Sequence, residues 1–483
     1  MKKIFLVLSV SLLLFSTQLL SADKTADKSK ATPASTKATL NVEPPKEVSM
    51  EISADASKDN SNKLNLATAI KRVLGYNGEI ASERKGIDLA QGRLDQARAG
   101  WFPKTTLYLL AAPIFEERGN ALTSVKNYSK WGIFTDAMVE VIQPLYTFGM
   151  ISEFKKAAEH GIEVETNKAR TKEEEIIFRL KQFYYGYQLA NDLVDIAQEA
   201  KDKLDSAVKT AEELLQQDKI KREDLYTIKT YYAQMLTKYD DALRGRDLAE
   251  KALVWTLGYE PDTKIELEDG YLNPEDLELK TESDYLASAS NNRPELKMLS
   301  SGIEATRSLW QAQVDQKRPV FFLMGAGTAA YSNVRDKQNS TYAYDRFNGL
   351  GGALLFGLKF NLDWWTINAM SKQSKAEYEK LLVSKDTLHD GMMLQVKKAY
   401  REAIDHKKAI DYTKEGEDNA SKWIINAMMG YGMGLTQAKD LMDAMKAYFE
   451  AKINYCMAIY EYNMALADLT KNTGKEVVPT LIY

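Results

Sequence analysis

Residues 350–362 read Leu-Gly-Gly-Ala-Leu-Leu-Phe-Gly-Leu-Lys-Phe-Asn-Leu. In an extended chain Leu350, Leu354, Phe356, Leu358, Phe360 and Leu362 share one face. Gly351, Ala353, Gly357, Lys359 and Asn361, with Gly349 before them, lie on the other. Large apolar side chains on one side and small or polar ones on the other is the pattern of a barrel wall between lipid and water, so the stretch predicts a membrane strand.

Its surroundings are helical. Downstream, helical spacing runs over about 370–429 and 437–473, interrupted at Gly430-Tyr431-Gly432-Met433-Gly434. Upstream, a second strand is predicted over about 320–331, after a helix that stops at Arg318-Pro319. The same layout occurs earlier in the chain. Pro103 recurs as Pro319 (319 − 103 = 216), Asp224-Leu225 as Asp440-Leu441, Gly258 as Gly474, Gly86-Ile87 as Gly302-Ile303 and Glu79 as Glu295. One fixed spacing across both halves is an internal duplication, so each half should hold the same elements in the same order.

The first half fits that expectation. A helical period starts at Leu64 and runs without a break to Trp101-Phe102-Pro103; strands are predicted over about 104–115 and 132–147. In the second strand Ile133, Thr135, Ala137, Val139 and Val141 share a face, with Asp136 and Glu140 on the other. The polar segments 116–131 and 332–349 read as hairpin loops, whose aromatics Tyr128, Trp131, Tyr342, Tyr344 and Phe347 suit either an interfacial belt or ordinary loop packing. Ile176, Leu180, Phe183, Tyr187, Ala190, Val194 and Ala197 then step by 4 and 3, coiled-coil spacing within a helix over about 151–216, roughly 100 Å long. Its partner runs from about Glu223 to Leu257-Gly258.

The domain plan is therefore a signal peptide over 1–22, a flexible leader over 23–62, repeat 1 over 63–260 with a hairpin tip at about 216–223, a connector over 261–283, repeat 2 over 284–474 with a tip at about 430–437, and a tail over 475–483. The signal rests on Met1-Lys2-Lys3, the apolar run from Ile4 to about Leu20 and Ser21-Ala22-Asp23; no cysteine follows that could carry lipid. Beyond it no run of ~20 apolar residues occurs, so insertion into a membrane would have to use strands. Lys+Arg 64 against Asp+Glu 68, with the signs interspersed, argues against nucleic acid as a partner. Four strands are too few for a closed barrel, since single-chain barrels start at about eight, so strands in a membrane would have to be pooled with other copies of the chain.

Over about residues 63–475 the chain resembles the TolC-type outer-membrane efflux and secretion proteins. The resemblance rests on Ala-Gly-Trp-Phe-Pro at 99–103, Gln-Pro-Leu-Tyr-Thr-Phe-Gly at 143–149 and Gly-Leu-Thr-Gln-Ala-Lys-Asp-Leu-Met-Asp-Ala at 434–444, met in duplicated order. It implies a mainly α fold with membrane β: two tandem repeats, each two β-strands plus a long coiled-coil α-hairpin. Assembled as a homotrimer, they would form a roughly 12-stranded β-barrel in outer-membrane lipid on a periplasmic α-helical barrel. Such proteins are passive exit ducts docked to a periplasmic adaptor and an inner-membrane transporter.

Asp440 and Asp443 stand three apart just inside a helix, on one face. By themselves they read as a solvated face with the acid preference of a helix start. The resemblance implies an acidic ring at the periplasmic gate. It also implies a tip hydrogen-bond network of Asp224, Tyr431 and Thr436 between hairpins. Thr436 stands where the compared relative has arginine, and Lys439, Lys219 and Lys221 are the candidates to replace that charge. The docking tips would be Lys219, Ile220 and Lys221 on one hairpin and Gly432, Gly434 and Leu435 on the other. In the 216-residue register Asp224 matches Asp440, whereas Asp443 and Tyr431 face Thr227 and Leu215 and so belong to the second half alone.

His160, His389 and His406 lack metal-ligand spacing, Cys456 reads as a small buried hydrophobe, and no nucleophile elbow, phosphate loop or zinc-protease motif occurs, so neither an enzyme nor a cofactor is expected. A water-exposed periplasmic or surface coiled-coil scaffold is the alternative to a channel. An aqueous cap would not gather Leu354, Phe356, Leu358 and Phe360 outward.

Overall fold

A computed structural model describes residues 63–120, 122–339 and 345–477. The signal peptide, the leader over 23–62, Tyr342, Tyr344 and the end of the tail from 478 lie outside the described residues. The chain runs β1 (Lys63–Leu64), α1 (Leu66–Tyr76), α2 (Gly78–Ala99), β2 (Lys104–Gly119), β3 (Ser124–Tyr146), α3 (Met150–Gln216) and α4 (Arg222–Thr256), then β4 (Glu266–Leu267), α5 (Glu282–Asn292), α6 (Pro294–Asp315), β5 (Val320–Ser332), β6 (Leu350–Lys359), α7 (Trp364–Gly432) and α8 (Ala438–Thr473).

The two halves of the chain place helix breaks and ends at matching positions. The single helix expected from 64 to 100 is two, because Asn77 ends α1 and its side chain accepts from the Glu79 and Ile80 amides, at 2.9 and 3.3 Å, to start α2. The same break recurs at Arg293 (293 − 77 = 216), where Pro294 opens α6. At the far end, Gly258 and Gly474 terminate α4 and α8 with φ of +67° and +64°.

α3 and α7 span 67 and 69 residues, and α4 and α8 span 35 and 36, so each half carries a hairpin of unequal arms. Two clusters hold the hairpins together. Midway along α3, Ile176, Leu180, Tyr184 and Leu189 bury against Ile70 and Val73 of α1, Leu253 of α4 and Tyr462 and Leu466 of α8. The connector belongs to this core: β4 pairs in parallel with β1, and Leu267 and Leu272 are buried. Glu476 in the tail reaches the 3% exposed Lys181 at 3.0 Å. The second cluster lies at the hairpin tips. No helix among the described residues is long and apolar enough to cross a membrane.

β2, β3, β5 and β6 form one antiparallel sheet in that order, so β2 and β6 are its edges. Three strand boundaries differ by several residues from those the sequence predicts. The segment 116–131, read as a loop, is mostly strand: past an irregularity at Phe115/Glu116, β2 and β3 pair again from Glu116↔Asn127 to Gly119↔Ser124. Opposite charges stabilise this extension, with Lys130 and Arg118 on Glu116 at 2.8 and 3.1 Å and Arg118 on Asp336 at 2.7 Å. β6 stops at Lys359 rather than 362, since Asp363 caps α7 by accepting from the Thr366 amide.

The equivalent Gly258 and Gly474 should not respond alike to alanine. Both conformations disfavour a Cβ by about 1–2 kcal/mol, but at Gly474 it would also lie 3.0 Å from Arg293 and Asn292 backbone atoms, whereas at Gly258 its nearest neighbour is 3.5 Å away. Gly474→Ala should therefore lower the chemical-denaturation midpoint clearly more than Gly258→Ala.

Candidate functional site

The two tips are built on one backbone device. α3 closes with Lys219 N–H donating to the Leu214 carbonyl and Asp218 N–H to that of Leu215; α7 closes with Leu435 to Gly430 and Gly434 to Tyr431. Both are Schellman turns, which need a left-handed residue just past the helix. Gly434 supplies it at φ +74°, and Asp218 supplies it at φ +55°, again 216 positions apart. The turns themselves, 217–221 and 433–437, are shorter than the sequence suggested.

Beneath them, Leu204, Ala207, Ala211 and Leu214 of α3, Leu225 and Ile228 of α4, Ala420, Ile424, Ala427 and Tyr431 of α7 and Leu441, Met442, Ala444 and Met445 of α8 form one buried cluster. Burying that face of α8 turns Asp440 and Asp443 outward, exposed and without a cation within ion-pairing distance among the described residues. Lys219, Lys221, Gly432, Gly434 and Leu435 are also exposed, and Leu435 is 79% so.

The three residues of the expected network do not bond to one another. Asp224 Oδ2 accepts from the Lys221 amide of its own helix start at 3.2 Å. Tyr431 is 2% exposed and its Oη has no partner. Thr436 folds onto its own hairpin, its amide donating to the Gly430 carbonyl at 3.3 Å. Burial first and the Asp224 charge second push the Tyr431 phenol up to about 12. Lys219, Lys221 and Lys439 form no ion pair with either among the described residues.

At the sheet, register assigns every side chain to a face. Tyr108, Met138, Thr328 and Gly351 form one cross-strand row, and Thr106, Glu140, Ala326 and Ala353 the next, on the face that also holds Asp136. The opposite face carries Leu107 (60% exposed), Leu109 (73%), Leu354 (73%) and Phe356 (68%). Large apolar side chains exposed together on one face mark a surface built to contact lipid or protein. Among the loop aromatics, Trp131 and Tyr128 stay exposed, whereas Phe347 packs edge-on against Phe134 at 5.5 Å and beneath Arg335 at 4.5 Å.

No protein-family model matches the sequence, and comparison with curated proteins finds no relative. Among solved structures, the outer-membrane channel OprN matches with a TM-score of 0.70 at 15% identity, covering 86% of this chain and 91% of that one. The open state of the Neisseria gonorrhoeae outer membrane channel MtrE gives 0.69 at 16%, covering 86% and 91%. The outer membrane protein VceC of Vibrio cholerae gives 0.70 at 14%, covering 85% and 96%. The chain has the fold of these outer-membrane channels. At such identities the likeness is one of architecture, which is the TolC-type architecture anticipated from residues 99–103, 143–149 and 434–444.

One notable group in this channel fold escaped the sequence reading. Glu174 stands in the run Glu173-Glu174-Glu175, a pattern typical of a solvated face, yet packing half-buries it. Burial first, and the charge of Glu295 second, raise its carboxyl to about 8 against an ordinary 4.5. The nearby Arg293 offsets this only in part, being bound to Glu295 at 3.1 Å and to Gln395 at 2.7 Å.

Folded Glu174 thus keeps a proton that the unfolded chain loses. Its contribution is full below about pH 4.5, declines as pH rises towards 8 and is gone above that. Glu174→Gln should consequently gain on the native protein in denaturation midpoint from about pH 5 to 8, the gap levelling off above about pH 9. At the tip, Tyr431→Phe removes a buried hydroxyl that has no partner and should be neutral or stabilising, whereas Tyr431→Ala should cost about 3–5 kcal/mol, both read by equilibrium unfolding.

Proposed function

We propose that this chain is one subunit of a homotrimeric outer-membrane exit duct, serving tripartite efflux or type I secretion. Three sheets joined edge to edge would close a roughly 12-stranded barrel, with the apolar face to lipid and the Glu140 face to the lumen. The long hairpins then extend the duct through the periplasm. A periplasmic adaptor would meet the tips at Lys219, Ile220, Lys221, Gly432, Gly434 and Leu435, and an inner-membrane transporter would supply the cargo.

The observation that carries this reading is the four-stranded sheet, open at β2 and β6 and apolar on one exposed face. A scaffold in water would leave both features without a purpose. For the gate, Asp440 and Asp443 are the candidates because they are exposed at the start of α8 and unneutralised among the described residues. Repeated by threefold symmetry, they would ring the entrance with negative charge. Asp224, which already caps α4, contributes through its charge on Tyr431 rather than through a bond to it.

The protein is expected in the outer-membrane fraction as a detergent-stable trimer; recovery as a soluble monomer would overturn the proposal. In planar bilayers, replacing Asp440 and Asp443 with Ala should weaken block by divalent cations. Unchanged block would return the pair to an ordinary solvated helix face.

A further inference from the structure

One hollow lies wholly within the sheet of a single chain, on the face that carries Glu140, with a volume of about 590 Å³. Its floor is Ala326, Thr328, Gly351 and Ala353, small residues brought side by side where β5 pairs with β6. Its rim is Tyr108 of β2, Met138 of β3 and Met324 of β5. Register alone makes this shape, since a large side chain at any floor position would fill it.

Glu140 supplies its charge. Its cross-strand neighbours are Thr106 and Ala326, neither of which can neutralise it. Lys104, diagonal to it on the same face, forms no ion pair with it, nor does any other cation among the described residues. The other acid of this face, Asp136, is already engaged, accepting from Thr328 Oγ1 at 2.8 Å. The hollow therefore offers one carboxylate without an ion-pair partner among the described residues, an aromatic ring and two polarisable thioethers around a shallow floor of small side chains.

We propose that this hollow is a binding site for lipophilic organic cations, the charged centre at Glu140 and the apolar body between Tyr108, Met138 and Met324. The site is complete in each chain. Its place on the cargo's route rests on reading this face as a channel lumen, but its occupancy by such a cation does not.

The test uses tetraphenylphosphonium and its anionic isostere tetraphenylborate on the full chain in a non-ionic detergent, by calorimetric titration against a micelle blank. Saturable binding of the cation, weakened about tenfold or more by Glu140→Gln and retained by Glu140→Asp, is expected. Ala326→Trp, which fills the floor and keeps the charge, should also weaken it. Equal binding of both ions, or cation binding indifferent to Glu140→Gln and Ala326→Trp alike, would overturn the proposal. A bilayer arm separates the two readings: cation binding without any conductance would sink the channel and spare the site, whereas a conducting pore that neither binds the cation nor is blocked by it would sink the site alone.

Discussion

A backbone N–H or C=O placed in hydrocarbon has no water to bond, and each one left unpaired costs several kcal/mol. The sheet of this chain meets that constraint internally along β2–β3, β3–β5 and β5–β6 and leaves it unmet along the free edges of β2 and β6. With an apolar face exposed beside those edges, a membrane wall of the proposed kind would be incomplete in one chain, and the proposed assembly would rest on the backbone rather than on any particular side chain. The helical hairpins accept the consequence: they carry buried clusters midway and at the tips that do not involve the sheet.

The duplication sets a common frame, and the positions where the halves part company are informative. The tips share helix ends, Schellman turns and N-terminal acids, but the left-handed position is Asp218 in one and Gly434 in the other. Asp224 is spent on its own helix start, whereas its counterpart Asp440 is exposed and uncommitted. Tyr431 fills space between hairpins where the first half has Leu215. A gate built from such tips would be held by packing and by charge, with little contribution from hydrogen bonds between hairpins.

Much of the architecture was legible because its signals are local. Gly149, Gly258, Gly434 and Gly474 mark helix ends, and the helices over 150–216 and 438–473 lie within one residue of where periodicity placed them. The break at Asn77 is masked by apolar spacing that continues across it, although Asn77-Gly78 is itself a turn signal, and the Asn77 cap makes the break. Segment 116–131 suggests a loop in isolation because of its charges, but in the fold these are paired, Glu116 with Lys130 of β3 and Arg118 of its own strand, and Arg118 with Asp336 beyond β5. Of the candidate site, the exposed acids Asp440 and Asp443 were legible as a pair on one helix face, while the bonding of Asp224, Tyr431 and Thr436 was not.

Sequence by itself determined the order of the long strands and helices and which of their residues share a face, because these depend on periods of two and about 3.6 residues along one chain. Tertiary structure alone decided which polar groups find partners. Packing between segments distant in sequence pushes the Glu174 carboxyl up, and Glu140, without an ion-pair partner among the described residues, borders a hollow that small residues of β5 and β6 leave open. Desolvation and charge pairing depend on distances between segments far apart in the chain, 295 residues for Lys181 and Glu476, which no local pattern records.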